Sequence, residues 1–240
     1  MTIFLLDEHQ PWLPACAGLP DIPGGWGAQE IAVGPRKLQL TLPALPDAFL
    51  DDRRVLEENR LDDYMPYWAY LWPASLKMAE FAYQQEVNNV AVRTPVLEFG
   101  CGVGLVGLGV LAAGGEVIFS DYRAEPVQVA MHNARSNGFD ACRGLVHDWR
   151  EPPPFQCERI VACEVLYEQR HHQPIVDFLK QMLTETGTCW IGDPGREKSL
   201  PFVALAREHG LDTQVIDERG ERQKEFGHGA FQILRIRKRK

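Results

Sequence analysis

The stretch Val96-Leu97-Glu98-Phe99-Gly100-Cys101-Gly102-Val103-Gly104-Leu105-Val106-Gly107 passes from apolar residues directly into closely spaced glycines. Two patterns overlap in it: E-x-G-x-G-x-G from Glu98 to Gly104, and G-x-G-x-x-G from Gly102 to Gly107. Each describes a strand ending in a tight turn that opens a helix, where missing Cβ atoms let a nucleotide-like ligand approach the backbone. They differ in the charge they welcome. A dinucleotide turn presents helix amides to a pyrophosphate, and Glu98, two residues before Gly100, is poorly placed beside such an anion. It suits a cationic moiety.

Two further acidic positions follow at comparable spacing. Asp121 ends the apolar run VIFSD, where a carboxylate can accept both ribose hydroxyl protons, a feature that dinucleotide folds share. Asp148-Trp149 come after a third short strand and offer a carboxylate and a flat aromatic to frame an adenine ring. Asp148 reads equally well as a turn cap within His147-Asp148-Trp149-Arg150.

Outward from these motifs the chain alternates. Strands are expected at 96–99, 117–120, 144–147, 159–163 and 188–192. Helices are expected at 73–85, 105–113, 124–137 (stopped by Asn137-Gly138), 168–184 with a kink at Pro174, and 199–209. Strand and helix at this spacing imply right-handed βαβ crossovers and a doubly wound, mostly parallel sheet. The last two strands, 211–217 and 231–237, have no helix between them and so pair antiparallel. Upstream, 30–33 and 37–42 alternate apolar and polar residues around Gly34-Pro35, which predicts a β-hairpin, and 47–61 is a charged helix. Residues 1–30, rich in Pro and Gly, read as poorly ordered or draped over the surface. The chain divides into an extension over 1–61 and a main domain over 62–240.

Composition excludes several classes. With 240 residues, 45% of them apolar, the chain can bury one large core. No run approaches the roughly 18 apolar residues of a membrane span, and the apolar start MTIFLL lacks the basic residues of a signal peptide. The six cysteines are widely spaced with no C-x-x-C pair, which fits reduced thiols in a cytoplasmic protein rather than a disulfide or zinc framework. Adjacent His171 and His172 cannot readily share an ion on a helix, so they are read as surface, and no metal is expected. A net charge of −8 disfavours nucleic acid as a partner, and the basic run Arg235–Lys240 reads as a solvated terminus.

VLEFGCGVGLVG, SDYRAEPVQVAMHNARSNG, HDW and VACEVLYE, with the terminal antiparallel strands, together resemble the successive motifs of class I, seven-strand S-adenosylmethionine-dependent methyltransferases. The resemblance covers about residues 62–237. It is closest to the branch containing protein-lysine methyltransferases, which carries an aromatic W-P segment (here Tyr70-Leu71-Trp72-Pro73) and an acidic-x-x-aromatic motif (here Glu164-Val165-Leu166-Tyr167). Asp is usual where this chain has Glu164. The resemblance implies a Rossmann-like sheet and S-adenosylmethionine as cofactor. It implies that Glu98, Gly100, Gly102 and Gly104 cradle the amino-acid part of the cofactor and Asp121 the ribose, that Asp148 and Trp149 bound the adenine, and that Trp72 closes the pocket. Glu164 and Tyr167 would face the acceptor, a protein side chain or a small molecule, lysine first. As plain structure, Trp72 is a helix staple and Tyr167 a packed aromatic. A nicotinamide oxidoreductase and a non-catalytic cofactor-binding module stay open as alternatives.

Overall fold

The computed structural model describes residues 12–13, 18–88 and 94–239. The apolar start of the chain, Cys16 and Lys240 lie outside the described residues. In chain order the elements are β1 (Trp12–Leu13), β2 (Trp26–Val33), β3 (Arg36–Pro43), α1 (Arg53–Asp62), α2 (Pro73–Asn88), β4 (Val96–Phe99), α3 (Leu105–Ala112) and β5 (Val117–Asp121). They continue as α4 (Ala124–Ser136), β6 (Cys142–Val146), β7 (Cys157–Cys163), α5 (His172–Met182), β8 (Leu183–Asp193), α6 (Leu200–Glu208), β9 (Leu211–Ile216) and β10 (Gln232–Lys238).

The main sheet has eight strands in the order β1-β6-β5-β4-β7-β8-β10-β9, parallel from β6 through β8. β10 runs antiparallel between β8 and β9. This is the doubly wound sheet with an antiparallel end that the element order requires. β4 is buried along its whole length, as a strand covered on both faces must be. Strand order reverses at β4, with β5 on one side and β7 on the other, so the crevice at their carboxyl ends is where a ligand belongs. Helices α2, α3 and α4 bury one face of the sheet, and α5 and α6 the other.

Several expectations need correction. Within the stretch 1–30, expected to be poorly ordered or draped over the surface, two described parts form strands. Trp12 and Leu13 pair antiparallel with Leu145 and Gly144 as an eighth strand, Trp12 stacks on Phe155 at 6.3 Å, and β2 already begins at Trp26. The 47–61 helix is two pieces, because Asp52 turns extended and accepts hydrogen bonds from the amides of Arg54 and Val55, starting α1 afresh. Pro174 lies in the first turn of α5, where a missing N–H costs nothing, so no kink arises. His172 is not a surface residue. It is 3% exposed, and its Nε2 lies 3.1 Å from the Leu166 carbonyl oxygen. The basic terminal run is largely strand, with Leu234 and Ile236 buried on either side of Arg235.

The β2–β3 hairpin docks on α4 through two asparagines. Asn133 receives the Thr41 amide at 2.7 Å and donates to the Thr41 carbonyl at 2.9 Å. Asn137 does the same with Gln39 at 2.8 and 2.7 Å. Four residues of helix rise about 6 Å and two residues of strand about 6.7 Å, so an i, i+4 pair of amides can follow alternate strand residues. Asn137 keeps a negative φ of −96°, and Gly138 at +78° takes the left-handed position.

Candidate active site

A cavity of about 980 Å³ opens at the carboxyl ends of β4, β5 and β7. Its floor is the glycine turn. Gly100 and Gly102 have φ of +61° and +51°, a region that side chains rarely adopt. A Cβ on Gly100 would stand 2.8 Å from Val165 Cγ1, and Gly102 faces open space apart from the Trp68 backbone. Gly104 lies behind the turn: a Cβ there would meet Ala130 at 2.6 Å, so its smallness serves the approach of α4. Of the residues named from the sequence, Trp72, Glu98, Gly100, Gly102, Asp121, Trp149, Glu164 and Tyr167 line this one cavity. Asp148 lines a neighbouring chamber of about 430 Å³, which shares Tyr122, Trp149 and Tyr167 with the first.

Glu98 and Asp121 are buried carboxylates held by backbone amides. Glu98 accepts from the Gly107 amide at 2.8 Å at the start of α3, whose N-cap, Gly104, has no side chain to do so. Burial pushes its carboxyl up to about 8, the Gly107 and Val106 amides partly offsetting this and the Asp121 charge adding to it. Asp121 accepts from the Gly102 amide at 3.2 Å. Burial raises it to about 6 against the opposing amides of Gly102, Arg123 and Tyr122. Among the described residues, neither carboxylate has a cationic side chain as a hydrogen-bond or ion-pair partner. Such groups gain most from a ligand that brings positive charge or hydroxyl donors. A pyrophosphate would meet Glu98 unfavourably.

Asp148 accepts from the Arg150 amide and its Nε, both at 2.8 Å. Burial works upward on this carboxyl, but the Arg150 contacts outweigh it and hold it below its ordinary value. Trp149 sets its ring edge-on to Phe99 at 6.0 Å and His171 at 5.5 Å, beside Gly100. Tyr167 meets the Tyr67 ring at 5.0 Å, and burial raises its hydroxyl far above the usual range. Burial likewise keeps the Cys101 and Cys163 sulfurs as thiols.

Glu164 sits in a left-handed conformation, φ +55°. Its amide still donates to the Gly192 carbonyl at 2.8 Å, so the residue ends the β7–β8 pairing while turning its side chain into the cavity. Oε1 accepts from the Ala74 amide at 3.1 Å, in the first turn of α2, and Oε2 is paired with Arg196 Nη2. Helix α2 reaches this position because Gly109 of α3 lets the two backbones close: a Cβ there would lie 2.3 Å from the Ala79 carbonyl oxygen.

Arg196 was not legible as a site residue. It comes from the loop after β8, far from every glycine or acidic motif, and its guanidinium lies 5.2 Å from the Trp72 ring centroid. Tyr122, following Asp121, and Tyr67 also line the cavity. The position of Tyr122 directly after the second acidic strand end was the available signal for it.

This topology, with a glycine turn and acidic residues closing successive parallel strands, defines the chain as a class I, Rossmann-like methyltransferase fold. A sequence profile described as "Lysine methyltransferase" matches residues 66–203, more than half of the chain, and the chain belongs to that family. Over 128 residues it is 25% identical to the histidine protein methyltransferase 1 homolog of Dictyostelium discoideum, an alignment covering 50% of this chain and 41% of that one. The chain thus spans about two fifths of that relative's length. The CcbJ methyltransferase from Streptomyces caelestis has the same fold at TM-score 0.55 and 14% identity, covering 75% of this chain and 96% of that one. The glycopeptide N-methyltransferase MtfA, solved with (S)-adenosyl-L-methionine, aligns at TM-score 0.51 and 11% identity over 68% of this chain and 94% of its own. Among the described residues, no helix is long and apolar enough to cross a membrane, and no group of His, Cys, Asp and Glu side chains is arranged to hold a metal ion.

Proposed function

We propose that the protein is an S-adenosylmethionine-dependent methyltransferase acting on a nitrogen of a protein side chain, lysine first and histidine second. The observation that carries this reading is the pair of buried carboxylates, Glu98 and Asp121, that face one cavity with a glycine turn and have no cation of their own. Membership of the lysine methyltransferase family and the similarity to a histidine protein methyltransferase homolog support a protein acceptor.

The residues fit the cofactor as follows. Gly100 and Gly102 bring backbone close to the ligand, and Glu98 attracts its ammonium group. Asp121 accepts from the ribose hydroxyls. Trp149 and Tyr122 bound the adenine toward the second chamber, with Asp148 at its rim. Trp72, at the head of α2, forms the wall on the acceptor side. Bound there, S-adenosylmethionine supplies a methyl group already activated on a cationic sulfur.

The protein's own contribution is alignment and electrostatics. Tyr67, Tyr167 and Trp72 form an aromatic passage that excludes water around the acceptor side chain. Glu164 keeps unused lone pairs after its contacts with Ala74 and Arg196, and a carboxylate can accept about four hydrogen bonds. It can therefore orient an acceptor N–H. A lysine amine must be neutral to react, which costs roughly 4–5 kcal/mol near pH 7 from a pKa of about 10.4.

Calorimetry with S-adenosylhomocysteine and with NADH tests the cofactor. Labelled-methyl transfer into fractionated lysate, with mass spectrometry of the labelled species, tests the acceptor. Binding of NADH in place of S-adenosylhomocysteine would overturn the reading, as would a label found only on small molecules for its protein part.

A further inference from the structure

The loop after β8 holds Arg196 more firmly than an ordinary surface arginine. Asp193, completely buried, accepts from the amides of Gly195 at 2.7 Å and Arg196 at 3.0 Å, and from the Ser199 hydroxyl at 2.7 Å. Gly195 adopts φ +79°, where a Cβ would stand 2.7 Å from the carbonyl oxygens of Gly227 and Ala230. Its own carbonyl accepts from the Gly229 amide at 2.8 Å. Gln232 in turn braces Gly227 through hydrogen bonds of 2.8 and 2.6 Å. So placed, the guanidinium reaches across the cavity mouth, stacks on Trp72 and pairs with the buried carboxylate of Glu164.

Resting on the reading of this cavity as a methyl-transfer site, we propose that Arg196 is a positioning and specificity-determining residue. It is the resident counter-ion of Glu164, so the acceptor nitrogen must enter uncharged.

An ammonium group would compete with Arg196 for a carboxylate that is already paired, and breaking a buried pair is costly. A neutral amine or imidazole needs no such exchange. It donates one N–H to a free lone pair of Glu164 and keeps its own lone pair for the methyl group. The adjacent guanidinium also disfavours protonation of the bound nitrogen. The other charged groups lining the cavity do not restore a cation site at the mouth. Glu168 is paired with Arg170, Glu197 and Lys198 stand together with opposite signs, and Glu98 and Asp121 lie at the glycine turn. Lysine and histidine are thereby admitted through the same neutral form, and Arg196 acts by charge and not by contact with the reacting atoms.

The test uses n-butylamine, which carries the lysine head group, titrated into the intact protein saturated with S-adenosylhomocysteine. Between about pH 7 and pH 9 the neutral fraction of an alkylamine rises roughly 100-fold. Wild-type affinity should rise by a comparable factor. Arg196→Gln, which leaves Glu164 without its counter-ion, should bind the ammonium form at least about tenfold more tightly near pH 7 and lose the rise. Arg196→Lys should keep the wild-type dependence. S-adenosylhomocysteine affinity within a few-fold of wild type certifies that each variant is folded, and the wild-type pH dependence decides the matter even where a variant is not. Equal wild-type affinity at the two pH values, or an Arg196→Gln profile that matches wild type, overturns the proposal and leaves the methyl-transfer reading standing. Failure of the wild-type protein to bind S-adenosylhomocysteine removes that reading itself.

Discussion

The two ends of the cavity treat buried carboxylate in opposite ways. At the glycine turn, Glu98 and Asp121 are held by backbone amides and shifted upward to about 8 and about 6, burial being the larger cause in each. At the mouth, Glu164 is 7% exposed yet bonded both to the head of α2 and to Arg196. One end is left short of positive charge and the other is already neutralised. On the reading proposed above, a site built this way would take a cationic ligand deep inside and a neutral partner from outside.

The largest effect should come from destroying the deep end. Gly102→Val has room for its Cβ but requires a β-branched residue at φ +51°, so the turn must rearrange and the amide that meets Asp121 is lost. S-adenosylhomocysteine affinity should fall at least about 100-fold by calorimetry, since hydrogen bonds to charged groups contribute roughly 1.5–3 kcal/mol each. Unchanged affinity would refute the assignment of the deep end. Breaking the mouth should separate binding from transfer. Glu164→Ala is expected to lower labelled-methyl transfer by about 100-fold, on the scale of removing one positioned polar group, with S-adenosylhomocysteine affinity altered only a few-fold. Transfer at the wild-type rate would show that Glu164 is structural.

A smaller effect sharpens the comparison through pH. Because the folded-state values of Glu98 and Asp121 lie above their ordinary ones, the folded protein binds more protons than the unfolded chain between the ordinary carboxylate range and about pH 8. Their favourable contribution is fully present below that range and is lost as pH rises through about 6 and then about 8. Melting temperature of the ligand-free protein should therefore decline over this window. S-adenosylhomocysteine should reduce the decline, and its binding near pH 7 should release protons, visible as a buffer-dependent calorimetric enthalpy. Glu98→Gln should flatten the upper part of the curve.

The smallest expected effect concerns the cover of the second chamber. Helix α1 and the residue after it meet three arginines, each from the segment following a successive parallel strand: Glu58 with Arg123 at 3.1 Å, Asp62 with Arg150 at 3.5 Å and Asp63 with Arg170 at 3.3 Å. Exposed pairs of this kind contribute about 0–1 kcal/mol each and are screened by salt. Raising ionic strength to about 1 M, or introducing Asp63→Asn, should speed S-adenosylhomocysteine dissociation only a few-fold in stopped-flow measurements. No change would mean that α1 does not cover the ligand.

Much of this molecule could be read along the chain because the signals are local. The apolar run ending in Glu98, the glycines that must take positive φ, and VIFSD ending in Asp121 each lie within one strand-to-loop step, and the βαβ order then brings their ends together. The β2–β3 hairpin was readable from alternation, although its attachment to Asn133 and Asn137 was not, since a helix amide that bonds a strand about ninety residues earlier leaves no mark in either segment. His172 was misread for a similar reason: spacing on a helix says which residues diverge, but not which one meets the Leu166 carbonyl.

The amino-acid sequence by itself determined the parallel sheet, its antiparallel end, the glycine turn and the acidic strand ends, because each depends on backbone sterics and period within a few residues. Only the tertiary structure decided how the mouth of the cavity is charged. Glu164, the head of α2 and Arg196 belong to segments separated by tens of residues, and whether a buried carboxylate is free or already paired depends on which distant group the packing delivers to it.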